Sequence, residues 1–194
     1  MKKTLLGLAA ASLSAPLLAQ PPAQAPTQPR QGWAHQDRFV DLQPSRRGNP
    51  DEAIDRLMIG EAFSRWGIGF DEGRADVIAS IFTDDGIMES MEGSGTPTLT
   101  VRGAQEIGAA MVRFQQRQAD QRRHSMTNVV VESLTSDRAV ALAYGIVTMA
   151  KNGKLELAAS VIYRGELRKE ADGIWRFSRF SVGMDIYVRD QPRS

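Results

Sequence analysis

The chain has 194 residues, with 24 Lys and Arg against 23 Asp and Glu, and no cysteine. Near-neutral charge offers no electrostatic footprint for nucleic acid or an anionic lipid surface. Without cysteine there are no disulfides and no thiolate chemistry, so stability rests on an ordinary apolar core, for which the chain is long enough.

Lys2 and Lys3 precede an apolar run from Leu5 to Leu18 that closes at Leu17-Leu18-Ala19. This is the pattern of a bacterial-type secretory signal peptide over residues 1–19, too short for a membrane span. Cleavage after Ala19 is the favoured reading. Cleavage after Ala25 would leave Pro26 first, and an uncleaved anchor is the competing reading; no cysteine stands at the junction for lipid attachment. A periplasmic or secreted protein is expected, with no stable membrane insertion after cleavage. Loss of the two lysines takes the net charge from +1 to −1 (+1 − 2). Residues 20–50 are rich in Pro and Gln without periodicity and read as a linker or surface arm, with Trp33 and Phe39 its large aromatic residues.

The domain is expected over residues 51–188, followed by a short tail, 189–194. Asn49-Pro50-Asp51-Glu52 is a helix start: a capping side chain, an early proline and acids near the positive end of the dipole. Ile54, Leu57, Met58, Ala62, Phe63 and Trp66 then follow helical spacing. Gly67 and Gly69 are expected to loosen this helix before Phe70-Asp71-Glu72-Gly73. A second helical piece, Ala75 to Phe82, turns Val77, Ile78, Ile81 and Phe82 inward. Thr83-Asp84-Asp85-Gly86 reads as a turn before a strand that begins at Ile87.

Leu99 to Arg102 is extended, and Gly103 opens a third helix to about Gln118, with Ile107, Ala110, Met111 and Phe114 on one stripe. The helix ends in a polar run that carries Arg113, Arg117, Arg122 and Arg123, expected to be solvated; capture of an acidic ligand is the second reading. Four long strands follow: His124–Val131, Ala139–Ala150, Leu155–Arg168 and Ile174–Tyr187. Lys151-Asn152-Gly153 and Asp172-Gly173 supply hairpin chemistry between them. In the third of these strands Leu155, Leu157, Ala159, Val161, Tyr163 and Leu167 share one face. Three helices and a long antiparallel sheet make an α+β plan. Helices packed into the concave side of a curved sheet would leave a pocket at its open end.

The order of several short elements resembles the SnoaL-like branch of the nuclear-transport-factor-2-like superfamily over about residues 51–187. They are Phe70-Asp71-Glu72-Gly73, Ile81 to Gly86, Val101-Arg102-Gly103-Ala104-Gln105-Glu106-Ile107, Arg123-His124 with Asn128, and Asp172-Gly173-Ile174-Trp175-Arg176-Phe177. The resemblance implies a cone-shaped barrel of three helices on a curved, mainly antiparallel sheet around a pocket for a hydrophobic small molecule. It also implies a homodimer through the sheet. In the dehydratases of this family a helix tyrosine, the acid at the helix end and a strand histidine act together. Residue by residue, the acid falls on Asp71 and the histidine on His124. The tyrosine position falls on Trp66, which has no phenolic proton, and a second dehydratase histidine falls near Ala143.

A carboxylate beside an imidazole fixes its tautomer and raises its basicity, which makes His124 a candidate base and Asp71 its orienter. Tyr144 and Tyr163, in apolar strands, are candidates for an acid or a carbonyl polariser; the commoner role is a core tyrosine with a satisfied hydroxyl. Asn128 shares the expected face of His124, and Asp185 is an acid within an apolar strand; both are candidate substrate contacts, together with Trp66 and Met184. No phosphate loop, dinucleotide fingerprint or His/Cys cluster appears, so no cofactor and no metal are expected. The reading is an exported, cofactor-free lyase or isomerase acting on an oxygenated aromatic or polycyclic molecule by elimination, dehydration or a retro-aldol step. The alternative is a non-catalytic binding or subunit-assembly domain of the same fold.

Overall fold

The structure is a computed structural model and describes residues 44, 45, 47–92 and 96–187. The stretch 1–19 read as a signal peptide, most of the expected arm with Trp33 and Phe39, and the expected tail at 189–194 lie outside the described residues.

The Asn49 side chain accepts a hydrogen bond from the Asp51 N–H at 3.1 Å, and Pro50–Glu52 make one 3-10 turn before helix α1 (Ala53–Asp71). Contrary to expectation, Gly67 and Gly69 do not loosen α1, which runs through both to Asp71. Each glycine sits where the helix presses on a neighbour: a Cβ on Gly67 would lie 3.1 Å from the His124 Cβ. Tertiary packing therefore outweighs a helix-propensity cost of about 1 kcal/mol per glycine. The apolar stripe is also rotated from the one the sequence suggests. Ile59, Ala62, Phe63 and Trp66 are buried, whereas Ile54 and Leu57 face solvent.

Helix α2 (Ala75–Ser80) stops two residues short of the expected end, because Phe82 already belongs to strand β1 (Phe82–Glu92). The expected turn at Thr83–Gly86 lies inside β1 as a break in its pairing. Phe82 pairs with Phe177 and the next pair is Ile87 with Arg179, a five-residue advance (87 − 82) against two (179 − 177). The Asp-Asp-Gly chemistry thus makes a bulge rather than a chain reversal. Strand β2 (Pro97–Arg102) and helix α3 (Ala104–Gln116) follow, and then β3 (Gln121–Leu134), β4 (Arg138–Lys151), β5 (Lys154–Lys169) and β6 (Trp175–Tyr187).

The six strands form one curved sheet in the order β2-β1-β6-β5-β4-β3. Every neighbouring pair is antiparallel except β1 with β6. The α+β plan and mainly antiparallel sheet follow the sequence reading, with one difference: the cone stays open, its two edges being β2 and β3. In β5, Ala159, Val161, Tyr163 and Leu167 are buried as expected, but Leu155 and Leu157 are exposed. Val147 pairs with Ala159 and Thr148 with Leu157, so Ala158 is an extra residue and the alternation changes phase there.

Aromatic rings fill the space between α1 and the sheet. Trp66 packs on Phe180 with ring centres 4.7 Å apart, Phe63 meets Phe177 edge-on at 5.1 Å, and Tyr163 stacks on Phe180 at 5.5 Å. Burial of each large side chain contributes roughly 1.5–3 kcal/mol. The start of α1 is tied to the sheet by polar contacts: Asp55 accepts from Lys169 Nζ at 2.8 Å and from Trp175 Nε1 at 2.9 Å. Those two donors hold its carboxyl below the usual range.

Gly145 on β4 makes room for the Tyr163 ring, since a Cβ there would stand 2.5 Å from Cε2 of that ring. A fully buried ring within a packed aromatic layer has nowhere to move. Gly145→Ala is therefore expected to destabilise the fold by about 1–3 kcal/mol, the usual cost of overpacking. Urea unfolding with an unchanged midpoint would contradict this account of the glycine.

Candidate active site

α1 ends at Asp71, whose side chain faces β3. From there the Asp71 carboxylate reaches His124 twice: Oδ2 accepts the His124 backbone N–H at 2.8 Å and Oδ1 lies 2.6 Å from the ring Nδ1. An ionised carboxylate only accepts, so the proton of this contact sits on Nδ1, and in the neutral ring the lone pair is then on Nε2. Both side chains are largely withdrawn from water, with 5% and 11% of Asp71 and His124 exposed. The Phe70 ring stands edge-on to the imidazole at 5.2 Å and fixes its plane from the helix side.

His124 opens onto a cavity of about 580 Å³ between the helices and the concave face of the sheet. Its walls are mainly apolar: Trp66, Phe70, Met88, Val147, Val161 and Met184. Tyr163, Ser90, Thr98, Gln118, Arg117 and Arg122 supply the polar groups. A few polar groups in an apolar wall are the usual composition of a small-molecule site, and the volume falls within the usual range of about 300–1,000 Å³. A shallower groove of about 530 Å³ runs outside, between β2 and α3, and shares Leu99, Phe114 and Arg117 with the cavity. It lies away from the His124–Asp71 pair, so the inner cavity is the chemically equipped one.

Four of the expected site residues, Trp66, His124, Tyr163 and Met184, line this cavity, and Asp71 stands directly behind His124. Three do not. Tyr144 pairs with Ile162 on the opposite face of the sheet and is 46% exposed, so it is no partner for His124. Gly145 takes the inward position beside it; the two tyrosines stand on opposite faces because 144 and 163 are out of phase across the β4–β5 pair. Asn128 has a left-handed backbone (φ 52°) at a break in the β3–β4 register and is exposed, which removes it from the inward row of Arg122, His124 and Met126. Asp185 accepts from the Ser160 hydroxyl at 2.9 Å at another register break, outside the cavity lining.

The arginine expectation changes for one residue. Arg113, Arg117 and Arg123 are exposed, but Arg122 is buried to 4% exposure and lines the cavity. Its Nε and Nη2 lie 2.8 and 3.2 Å from the two carboxylate oxygens of Asp120, whose side chain is itself 1% exposed. The available signal was period-two spacing: residue 122 precedes His124 by two, so a strand that starts at Gln121 turns both inward.

Residues 51–181 match the SnoaL-like domain family. The chain belongs to that family. No curated protein matches it. Among solved structures, a SnoaL-like chain of this kind is similar to a cystatin-like-fold protein of unknown function from Nostoc punctiforme, at 21% identity and a TM-score of 0.59 over 69% of this chain and 92% of that one. It is similar to a hexachlorocyclohexane dehydrochlorinase from Novosphingobium barchaimii at 22% identity and a TM-score of 0.58, over 71% and 91%. It is also similar to the beta subunit of a putative aromatic-ring-hydroxylating dioxygenase from Novosphingobium aromaticivorans, at 16% identity and a TM-score of 0.62, over 73% and 95%. These likenesses concern the fold. Among the described residues, no group of three or more His, Cys, Asp or Glu is placed to hold a metal ion, and no helix is long and apolar enough to cross a membrane.

Burial pushes the Tyr163 phenol well above its ordinary value of 10.0; a hydrogen bond with Trp66 offsets part of this, and the Asp71 charge adds to it. The folded protein thus holds the phenol proton at a pH where the unfolded chain has released it. By linkage, this group leaves stability unchanged below the ordinary phenol range and removes it as pH rises beyond about 10. Tyr163→Phe is expected to flatten the alkaline limb of a stability–pH curve measured by urea unfolding. An equally steep limb in the variant would place the titrating group elsewhere.

Proposed function

We propose that the protein is an exported, cofactor-free enzyme that removes a proton from a hydrophobic, oxygenated small molecule, with His124 as base and Asp71 as its orienter. The observation that carries this reading is the doubly held His124, with Nδ1 against Asp71 at 2.6 Å and the ring on the wall of a mainly apolar cavity. Asp71 fixes the tautomer that leaves Nε2 able to accept a proton, and it stabilises the imidazolium once formed. The reaction class is elimination, dehydration, retro-aldol cleavage or isomerisation, since each begins with proton removal by a base of this kind. Elimination is also the class of chemistry in the name of the dehydrochlorinase that shares the fold, although likeness at 22% identity speaks of fold alone. Tyr163, held neutral by burial, supplies a phenolic hydrogen bond to a leaving or carbonyl oxygen.

A second reading, a binding domain without turnover, is favoured by Trp66. It fills the helix position at which the family's dehydratases carry a tyrosine, and it packs on Phe180 as a cavity wall. Ligand that copurifies with the mature protein, identified by mass spectrometry, separates the two readings. Returned to the protein in D₂O, it is expected to gain solvent deuterium or to convert to product, about 10²–10⁴-fold more slowly with His124→Ala. Identical retained ligand with neither exchange nor turnover by either protein would leave the binding reading standing.

The outer face of the sheet exposes Tyr144 and Ile146 side by side with the buried Leu142 and Ile162. We assign this face to a second copy of the chain, consistent with the dimer expected through the sheet. Tyr144→Glu combined with Ile146→Glu is then expected to halve the mass seen by sedimentation equilibrium. A wild-type chain that sediments as a monomer would dismiss the assignment.

A further inference from the structure

The outer groove between β2 and α3 carries an imbalance of charge that the His124–Asp71 chemistry does not use. Arg102, Arg113 and Arg117 line it against one acid, Glu106, a surplus of two positive charges (3 − 1) in a chain whose whole formal charge is +1. Glu106 is spent on Arg113 at 2.5 Å. Most other exposed arginines are neutralised by a near neighbour: Arg65 by Glu61, Arg74 by Asp76, Arg123 by Glu72. Arg102 and Arg117 have no carboxylate within ion-pair distance among the described residues. Arg117 instead lies over the Phe114 ring, 5.8 Å from its centre, a contact that places the guanidinium without neutralising it.

Between these charges the groove is apolar, with Leu99 and Val101 from β2 and Ala110 and Phe114 from α3. Its α3 wall follows from sequence spacing, since Glu106, Ala110, Arg113, Phe114 and Arg117 fall on one helical stripe. Leu99, Phe114 and Arg117 also line the inner cavity, so the groove starts at the cavity mouth. Arg113 is one turn, about 6 Å, along α3 from Arg117, and Arg102 is three residues, about 10 Å, along β2 from Leu99. An apolar channel that leaves an apolar cavity between cations suits a single molecule with an apolar body and an anionic end. Resting on the cavity being the binding site described above, we propose that the substrate is a hydrophobic carboxylic acid. Its ring body occupies the cavity beside His124, and its side chain leaves past Leu99 and Phe114 to bring the carboxylate among Arg117, Arg113 and Arg102. Arg117 and Arg102 are the specificity-determining pair, because Arg113 is already engaged by Glu106. The carboxylate stays near the surface and so avoids the desolvation that would oppose burying it beside the Asp71 charge.

Dansylamino-undecanoate and its methyl ester share a bicyclic aromatic body and a long tail and differ in the terminal charge. Their binding is followed by the rise in dansyl fluorescence in an apolar site. Wild-type protein is expected to bind the acid about five- to tenfold more tightly than the ester, since one exposed ion pair is worth up to about fivefold. Raising the salt to about 1 M, where charges are screened beyond about 3 Å, is expected to remove most of that preference. Arg102→Gln combined with Arg117→Gln is expected to bring the two affinities within about twofold of each other, whereas Glu106→Gln, which releases Arg113, should widen the preference. The ratio of the two affinities cancels any general change in the cavity. His124→Ala should keep the ratio whether or not the protein turns anything over, so failure of the catalytic reading leaves this inference standing. A wild type that binds neither probe would remove the cavity as a ligand site and this inference with it. Equal binding of acid and ester by the wild type would give the groove to another occupant and overturn the inference alone, as would a preference that survives the double variant.

Discussion

The Asp71 carboxylate does two things at once, and the rest of the site depends on both. By taking the backbone N–H of His124 it docks the end of α1 onto β3; by taking Nδ1 it sets the tautomer of the ring. A backbone donor inside the protein that lost its acceptor would cost about 1–3 kcal/mol, so the carboxylate that orients the imidazole also contributes to the join between helix and sheet. The missing side chain at Gly67 permits the approach, since a Cβ there would crowd the His124 Cβ at 3.1 Å. The geometry of the His124–Asp71 pair and the packing of the domain are therefore one arrangement.

Around this join the protein keeps its polar groups sparse and individually anchored. Tyr163 lies flat on Phe180, Arg122 is held by Asp120, and His124 is flanked by Phe70. Each polar tip projects from a body immobilised by packing or by a charged partner, so orientation is built in before any ligand arrives. The apolar remainder of the wall lends affinity without dictating shape, which suits a fold whose relatives bear names as different as dehydrochlorinase and ring-hydroxylating dioxygenase subunit.

Much of this was legible in the sequence, for definable reasons. Helical stripes, Asn-Gly and Asp-Gly turns, and alternation in β5 identified the elements, while the acid at the helix end and the strand histidine met as expected. What failed were features decided by tertiary contact. The α1 glycines read as breakers because propensity is local, whereas their reason lies across the fold in β3 and α2. Tyr144 and Asn128 were assigned by composition and alternation alone, yet a one-residue change of phase sends a strand side chain to the opposite face. Arg122 was grouped with solvated arginines because nothing local distinguishes it from Arg123; only the position where β3 begins does.

The tie between Asp55 and the pair Lys169 and Trp175 gives α1 a second fixed point. Between residues 55 and 71 the helix spans about 24 Å at 1.5 Å per residue. It behaves as a strut clamped at both ends, with one clamp on the β5–β6 end of the sheet and the other on His124. A rigid strut has no independent slack, so displacement at the far clamp appears at Asp71 as a shift in where the imidazole points. Residues far from the cavity thus set the aim of the His124 ring, and natural drift at that remote clamp offers a route to re-aiming it without touching the cavity wall.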